Sequence, residues 1–221
     1  DFVKTRLTRD RLHIAVVGDI TPDGLKKVLD NVFGTLPQSG TTDRTADTTI
    51  QNGGTVTLFA KDIPQTIIEI MQDGIARTDH DYHAAQVMNY ILGGGGFGSR
   101  LTEESREKRG LTYGIYSGLS TLAHAPNISI STSTKNESVA EMLALINEEW
   151  TRMKTQGVTE RELADAKSYL IGSLPLSLSS TGQIASIMLG MQLDNLPPDY
   201  LDTREKTIKA LTAADIHKVA E

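Results

Sequence analysis

Residues 93–113 read GGGGFGSRLTEESREKRGLTY, and this stretch decides how the rest of the chain is understood. Taken alone, it predicts a glycine-rich loop, a short charged helix, a glycine turn and the start of a strand. Its simplest interpretation is structural: the arginines would form ion pairs with nearby glutamates on a solvated helix face, Arg100 and Arg106 with Glu103 and Glu104. Composition alone favours that interpretation.

The segments around this stretch predict an α+β fold. Runs rich in β-branched or alternating apolar residues indicate strands at residues 12–17, 55–60, 65–72, 112–119 and 127–134. A single strand–helix–strand crossover is visible, and the helical patterns cluster late in the chain. We therefore expect these strands to form one mixed, largely antiparallel sheet with helices packed on one side.

Helix starts are marked by capping residues. Thr21-Pro22 predicts the N-cap and first turn of a helix that runs to about Phe33. The four residues from Thr159 to Glu162 have the pattern of a capping box. Asp79 is expected to cap a further helix that runs to about Leu92, and the apolar face of this helix would consist of Ala84, Val87, Met88 and Ile91.

With 221 residues, the chain can bury the core of one large domain or of two small ones. Residues 37–54 are rich in Thr, Gly and Asp and form the best linker candidate, either inside a domain or at a boundary. We interpret residues 1–221 as a single domain. Both ends look cut, because the chain begins without Met and its last helical pattern, which Thr212 and Asp215 would cap, has no terminator. We therefore expect a fragment of a longer chain.

Composition narrows the classes of partner. The net charge is −6 and no run of Lys or Arg occurs, so nucleic acid is a poor candidate. The longest apolar run is only a few residues, whereas a membrane span needs about 20, so we expect no membrane insertion. The chain has no cysteine, which excludes disulfides, thiolate zinc sites and cysteine nucleophiles.

The usual catalytic motifs are missing or incomplete. The glycine run lacks the Gly-Lys-Ser/Thr ending of a phosphate-binding loop and follows a helical pattern, where such a loop follows a strand. His80 and His83 lie three residues apart, whereas a zinc-binding helix usually has two histidines four apart with a Glu between them. No Gly-x-Ser-x-Gly elbow occurs. We therefore expect no metal site in this chain.

The stretch at 93–113 resembles the signature of the C-terminal, zinc-free domain of pitrilysin-type (insulinase-like) metallopeptidases. The shared pattern is a glycine-rich loop, Ser-Arg-Leu, an arginine, and a tyrosine seven residues later within Gly-Leu-x-Tyr; Arg106 and Tyr113 match it. The start of the chain, with Val16-Val17-Gly18-Asp19 and Phe33 to Pro37, also resembles the opening of that domain.

This resemblance implies two homologous α+β domains that face each other across a chamber. One domain would hold zinc through His-x-x-Glu-His, and the other would bind the substrate backbone through Arg106 and Tyr113. Such donors make sense because peptide hydrolysis develops negative charge on the carbonyl oxygen. An arginine supplies a permanently charged fork of donors and a tyrosine a directional hydroxyl. The loop would border the same cleft, which makes Gly94, Gly95, Gly96 and Phe97 candidate substrate-binding residues.

His-x-x-Glu-His occurs nowhere in the chain. The resemblance therefore implies a domain that is inactive alone, with zinc on a partner domain of the same polypeptide or on a separate subunit. An alternative is a retired family member with an assembly role, like the core subunits of respiratory complex III. The gap between Gly95 and Leu101 is short beside the long glycine-rich loop of the α-subunit of the mitochondrial processing peptidase, another member of this family. The resemblance is therefore nearer to a bacterial two-subunit enzyme. Family habit and the lack of cysteine favour the bacterial periplasm, although the sequence leaves the location open.

Overall fold

The computed structural model describes residues 2–41 and 45–221. They fall into two compact units: the described part of Asp1–Ala46 with Ser173–Tyr200, and Asp47–Gly172 with Leu201–Glu221. The boundary after Ala46 lies in the predicted linker at 37–54, of which residues 42–44 lie outside the described residues. That residues 1–221 form a single domain stays a prediction.

The elements are, in chain order, α1 (Phe2–Arg6), α2 (Pro22–Phe33), β1 (Gln65–Asp73), α3 (Tyr82–Asn89), α4 (Arg100–Thr102), β2 (Ile115–Ser120), β3 (Asn127–Lys135), α5 (Val139–Gln156), α6 (Glu160–Gly172), α7 (Leu174–Ser177), α8 (Thr181–Leu193), α9 (Tyr200–Ala210) and α10 (Ala213–Ala220). Short 3₁₀ turns occupy Arg9–Arg11, Gly96–Gly98 and Asn136–Ser138, and π-helical turns occupy Tyr90–Gly94 and Glu103–Lys108. Within the described ranges, no helix is long and apolar enough to cross a membrane.

The sheet lies in the second unit and has the strand order β1-β3-β2, with both pairings antiparallel. Its register places Thr132 of β3 opposite Ile68 of β1 and Ile115 of β2. Along β3, every second side chain from Ile128 onward is buried, whereas Ile67 on the other face of β1 is 68% exposed. One face of the sheet is therefore covered and the other is open, as the alternation in the sequence predicts.

Helices cover the buried face of the sheet and complete the core of this unit. The apolar face predicted for the helix of residues 79–92 is confirmed: Ala84, Val87, Met88 and Ile91 are 6% exposed or less. Helix α5 adds Met142, Leu145, Ile146 and Met153, and α9 and α10 add Ile208 and Ile216. The predicted α+β class, with a largely antiparallel sheet and helices on one side, is confirmed.

Two predicted strands are wrong. Residues 12–17 and 55–60 form no strand in the part of the chain that the structure describes. A strand needs a neighbouring strand to take up its backbone hydrogen bonds, and β-branched composition supplies no such partner. The apolar side chains of these segments also lack the buried environment of a sheet face: Val16 is 45% exposed, and Val56 is 90% exposed.

The predicted caps of α2, α6 and α10 are confirmed, whereas the cap predicted for α3 is wrong: α3 begins at Tyr82, its N-cap is Asp81 and not Asp79, and no side-chain cap hydrogen bond forms there. Gly24 N–H donates to Thr21 Oγ1 at 3.2 Å and α2 begins at Pro22. At the start of α6, Glu162 N–H donates to Thr159 Oγ1 at 3.2 Å while Thr159 N–H donates to the Glu162 carboxylate at 2.8 Å. Thr212 and Asp215 form the same reciprocal box at α10. Such local signals suffice because each cap joins residues only three apart.

Candidate functional site

The segment between α3 and β2 carries the candidate site, and its backbone is irregular. Two π-helical turns, Tyr90–Gly94 and Glu103–Lys108, flank the 3₁₀ turn Gly96–Gly98 and the short helix α4. Turns of this type are rare and occur frequently at functional sites. Arg106 lies on the second of them.

Two glycines bring this segment against β2. A Cβ on Gly93 would lie 2.7 Å from Ser117 Oγ and 2.8 Å from Ser117 N, so only glycine allows this close approach. Gly110 has a φ of 61°, and beyond it Leu111 N–H donates to the Ser105 carbonyl at 2.8 Å. This turn ends the helical segment and leads the chain back past Arg106 towards β2.

The returning chain places two aromatic rings on the guanidinium of Arg106. Its Cζ lies 4.5 Å from the ring centre of Phe97 and 4.8 Å from that of Tyr113. Its Nε also lies 3.4 Å from a carboxylate oxygen of Glu107. We call Phe97, Arg106 and Tyr113 the Arg106 cluster. Cation–π contacts of this kind attract the charge to the ring faces.

The Arg106 cluster opens onto a cavity of about 260 Å³, which we call the groove. Tyr113 and Phe97 are 87% and 69% exposed, so both rings are accessible from solvent. The groove is lined by Gly96, Phe97, Thr102, Arg106, Tyr113, Gly114, Ile115 and Tyr116. Its lining therefore combines aromatic rings with the positive charge of Arg106.

Two side chains of the groove carry hydrogen-bond donors that the protein does not use. Within residues 2–41 and 45–221, neither the Tyr113 hydroxyl nor the two Nη atoms of Arg106 have a hydrogen-bond partner in the protein. The Arg106 side chain is 29% exposed, so most of its surface is covered and the remainder contacts solvent. The arrangement can therefore donate hydrogen bonds to a carbonyl or carboxylate while the rings contact apolar groups.

The structure brings four of the six predicted site residues to the groove. Gly96, Phe97, Arg106 and Tyr113 line it, whereas Gly94 and Gly95 lie just before it, at the end of the first π-helical turn. The functional role of all six stays a prediction.

Four groove residues were missed at the sequence level, namely Thr102, Gly114, Ile115 and Tyr116, and the sequence carries signals for Thr102 and Tyr116. Thr102 precedes Arg106 by four residues, the spacing that puts two side chains on one helix face. Tyr116 follows the buried Ile115 in β2, so strand alternation turns it to the opposite face.

The simple ion-pair interpretation of the charged helix is wrong. Arg100 is buried and pairs with Glu162, at 2.6 Å from Nε to Oε1, while Glu103 and Glu104 both contact Lys108. Burial raises the pKa of the Glu162 carboxyl, but the hydrogen bonds that it accepts from Arg100 and Thr159 outweigh burial and lower this pKa to about 2. Arg100 therefore anchors α4, in the middle of the segment between α3 and β2, to the start of α6.

His80 and His83 lie in different surroundings. The His80 ring lies 3.1 Å from an Asp81 carboxylate oxygen at the surface, and burial lowers the pKa of His83. Across the described ranges, no group of three His, Cys, Asp or Glu residues is placed to hold a metal ion.

Comparisons with known proteins define the class. The family described as the peptidase M16 inactive domain matches residues 1–170. The chain therefore belongs to this family, and its resemblance to zinc metallopeptidases of the insulinase-like type is confirmed.

Among the relatives, an uncharacterized zinc protease of Streptomyces coelicolor is 28% identical over 228 aligned residues, covering 99% of this chain and 49% of the relative. A Helicobacter pylori protein named as a non-peptidase homolog is 29% identical over 213 residues, and the match covers 94% of this chain and 48% of the relative. The chain spans about half the length of the curated relatives that it matches.

Among solved structures, a peptidase M16 inactive domain from Pseudomonas fluorescens is 31% identical with a TM-score of 0.79, covering 91% of this chain and 48% of that chain. A protease from Helicobacter pylori has a TM-score of 0.80 at 17% identity, covering 92% and 50%. A chain of complex III2 from Candida albicans has a TM-score of 0.72 at 16% identity, and the match covers 92% of this chain and 50% of that chain. The last two likenesses establish the fold alone.

Proposed function

We propose that this chain is the zinc-free half of a metallopeptidase, in which Arg106 and Tyr113 bind the peptide backbone opposite a zinc-bearing domain or subunit. The observation that carries the proposal is that the two Nη atoms of Arg106 and the Tyr113 hydroxyl have no hydrogen-bond partner among the described residues, and that both side chains line the groove. Donor groups left open at an accessible groove are suited to a ligand that brings its own acceptors.

The chemistry of peptide hydrolysis gives these donors a task. Attack on a peptide carbonyl places negative charge on its oxygen, and donors held ready in advance stabilise that charge. The guanidinium of Arg106 can donate through Nη1 and Nη2. The Tyr113 hydroxyl would add a second, neutral donor from the same side of the groove.

Zinc belongs to the partner in this proposal. A catalytic zinc site normally uses three protein ligands and one open position, and no such ligand set is found among the described residues. The M16 inactive-domain family membership supports a zinc-bearing homologous half, carried by the same polypeptide or by a separate subunit. The chain alone would then bind peptide without cleaving it.

The test is peptide cleavage by the assembled protein, with the zinc-bearing half present. Arg106→Ala and Tyr113→Phe should each leave assembly intact and lower kcat and kcat/KM together, by about a hundredfold. Arg161→Ala is the matched control, because Arg161 is 92% exposed and lies away from the groove. Assembly is checked by size-exclusion chromatography, so that a loss of turnover is not mistaken for a loss of the complex.

A second candidate function is a purely structural role in an assembly. It is favoured by exposed apolar side chains on one surface, where Leu58 at 80%, Phe59 at 82% and Ile67 at 68% line the same shallow pocket. One relative is named as a non-peptidase homolog, which agrees with this alternative. Turnover close to that of the unaltered protein in both Arg106→Ala and Tyr113→Phe would establish it over the peptidase role.

A further inference from the structure

The ring of Phe97 touches the charged group of Arg106 although the two residues are nine positions apart. The distance from the guanidinium carbon to the ring centre, 4.5 Å, is the shorter of the two cation–π contacts in the Arg106 cluster. The Phe97 side chain is 69% exposed, so it contributes little to the hydrophobic core. Its well-defined contact is therefore with Arg106.

The backbone that carries Phe97 is fixed on both sides. Gly95 N–H donates to the Tyr90 carbonyl at 2.8 Å, which ends the first π-helical turn. After Phe97, the fully buried Ser99 donates to the Gly96 carbonyl twice, from its N–H at 3.1 Å and from its Oγ at 2.7 Å. An exposed ring on a fixed turn can restrict the long side chain that packs on it.

We propose that Phe97 is a positioning residue, whose ring holds the Arg106 guanidinium in the direction that presents its Nη donors to the groove. The inference deepens the proposed function and rests on it. A free arginine side chain samples many rotamers, and donors must be held in place before the reaction to stabilise developing charge fully. Phe97 and Tyr113 together limit those rotamers, and Tyr113 also donates its own hydroxyl.

The first arm of the test is a double-mutant cycle on peptide cleavage by the assembled protein. Phe97→Leu keeps an apolar side chain but removes the ring face, and should lower kcat about fivefold with KM little changed. Phe97→Trp keeps a ring face and should retain most of the turnover. In the Arg106→Ala background, Phe97→Leu should have no further effect, because its contribution passes through Arg106.

The second arm observes Arg106 directly by NMR, with arginine-selective labelling of the full protein. The contact with two rings should shift the Arg106 side-chain protons upfield. That shift should shrink in Phe97→Leu and persist in Phe97→Trp. Phe59→Leu is the matched control, since Phe59 is also an exposed phenylalanine but lines a different surface.

The two arms separate failure of the inference from failure of the proposed function. If Arg106→Ala slows cleavage but Phe97→Leu does not, Phe97 has no positioning role and the proposed function stands. A positioning role is equally refuted if Phe97→Leu lowers turnover to the same extent with and without Arg106, or if the NMR shift is unchanged in Phe97→Leu. If Arg106→Ala leaves cleavage unaltered, both the proposed function and the inference are lost.

Discussion

Replacing Arg100 by alanine should strongly destabilise the protein. Arg100 is 6% exposed and begins α4, the short helix just before the π-helical turn that carries Arg106. Its Nε donates to Glu162 Oε1 at 2.6 Å, and its Nη2 donates to Glu162 Oε2 and to the Gly157 carbonyl, each at 2.8 Å. One side chain therefore joins the start of α4 to the residue that follows α5 and to the first turn of α6.

The expected loss follows from what the substitution leaves behind. Removing one partner of a buried ion pair costs about 3–5 kcal/mol, because the other charge stays without compensation. The Glu162 side chain is 26% exposed, so water can solvate part of its carboxylate once Arg100 is gone. This solvation reduces the loss of stability, whereas the loss of packing around the aliphatic part of the arginine side chain increases it. We therefore expect Arg100→Ala to lower the free energy of unfolding by about 3 kcal/mol, the bottom of that range.

Urea unfolding followed by tryptophan fluorescence measures this change, because the single Trp150 packs against the core from α5. The matched control is Arg161→Ala, which removes a 92% exposed arginine lying 3.7 Å from Asp165. An exposed pair of this kind contributes at most about 1 kcal/mol. Equal losses in the two variants would refute the reasoning, because the buried pair would then be worth no more than a surface pair.

Three further predictions concern pH, the glycine turn and zinc. Folding lowers the pKa of Glu162 from 4.5 to about 2, so the contribution of this carboxylate to stability is complete above pH 4.5 and is lost as the pH falls towards 2. Urea unfolding curves across this pH window should show the loss, and Arg100→Ala should weaken this pH dependence. Gly110→Ala should cost about 1 kcal/mol in the same unfolding assay, because φ is 61° there; an unchanged midpoint would contradict this. Metal analysis of the purified, tag-free chain should find no stoichiometric zinc, and one tightly bound zinc per chain would overturn that expectation.

Features set by neighbouring residues could be predicted from the sequence. The alternation of Ile128 and Ile130 with serines identifies β3 and its buried face, because a strand turns successive side chains to opposite sides. The capping boxes of α6 and α10 are equally local. In each of these cases the sequence itself contains both interacting partners within a few residues.

Features set by distant residues could not be predicted. Arg100 pairs with a carboxylate 62 residues away, whereas the helix pattern suggests glutamates three and four residues away. The same limit explains the missing strands, because Val56 has strand propensity but finds no neighbouring strand in the described residues. Propensity describes a residue, whereas an ion pair or a strand ladder also requires a partner whose position the fold determines.

The Arg106 cluster combines both kinds of information. Arg106 and Tyr113 lie close in sequence, and one glycine turn between them brings the Arg106 Cζ to 4.8 Å from the centre of the Tyr113 ring. The contact of Phe97 with the same guanidinium depends on two π-helical turns, which have no simple periodic pattern in the sequence. A motif of residues can therefore indicate which groups act together, whereas the backbone between them decides which additional ring holds the charged group in place.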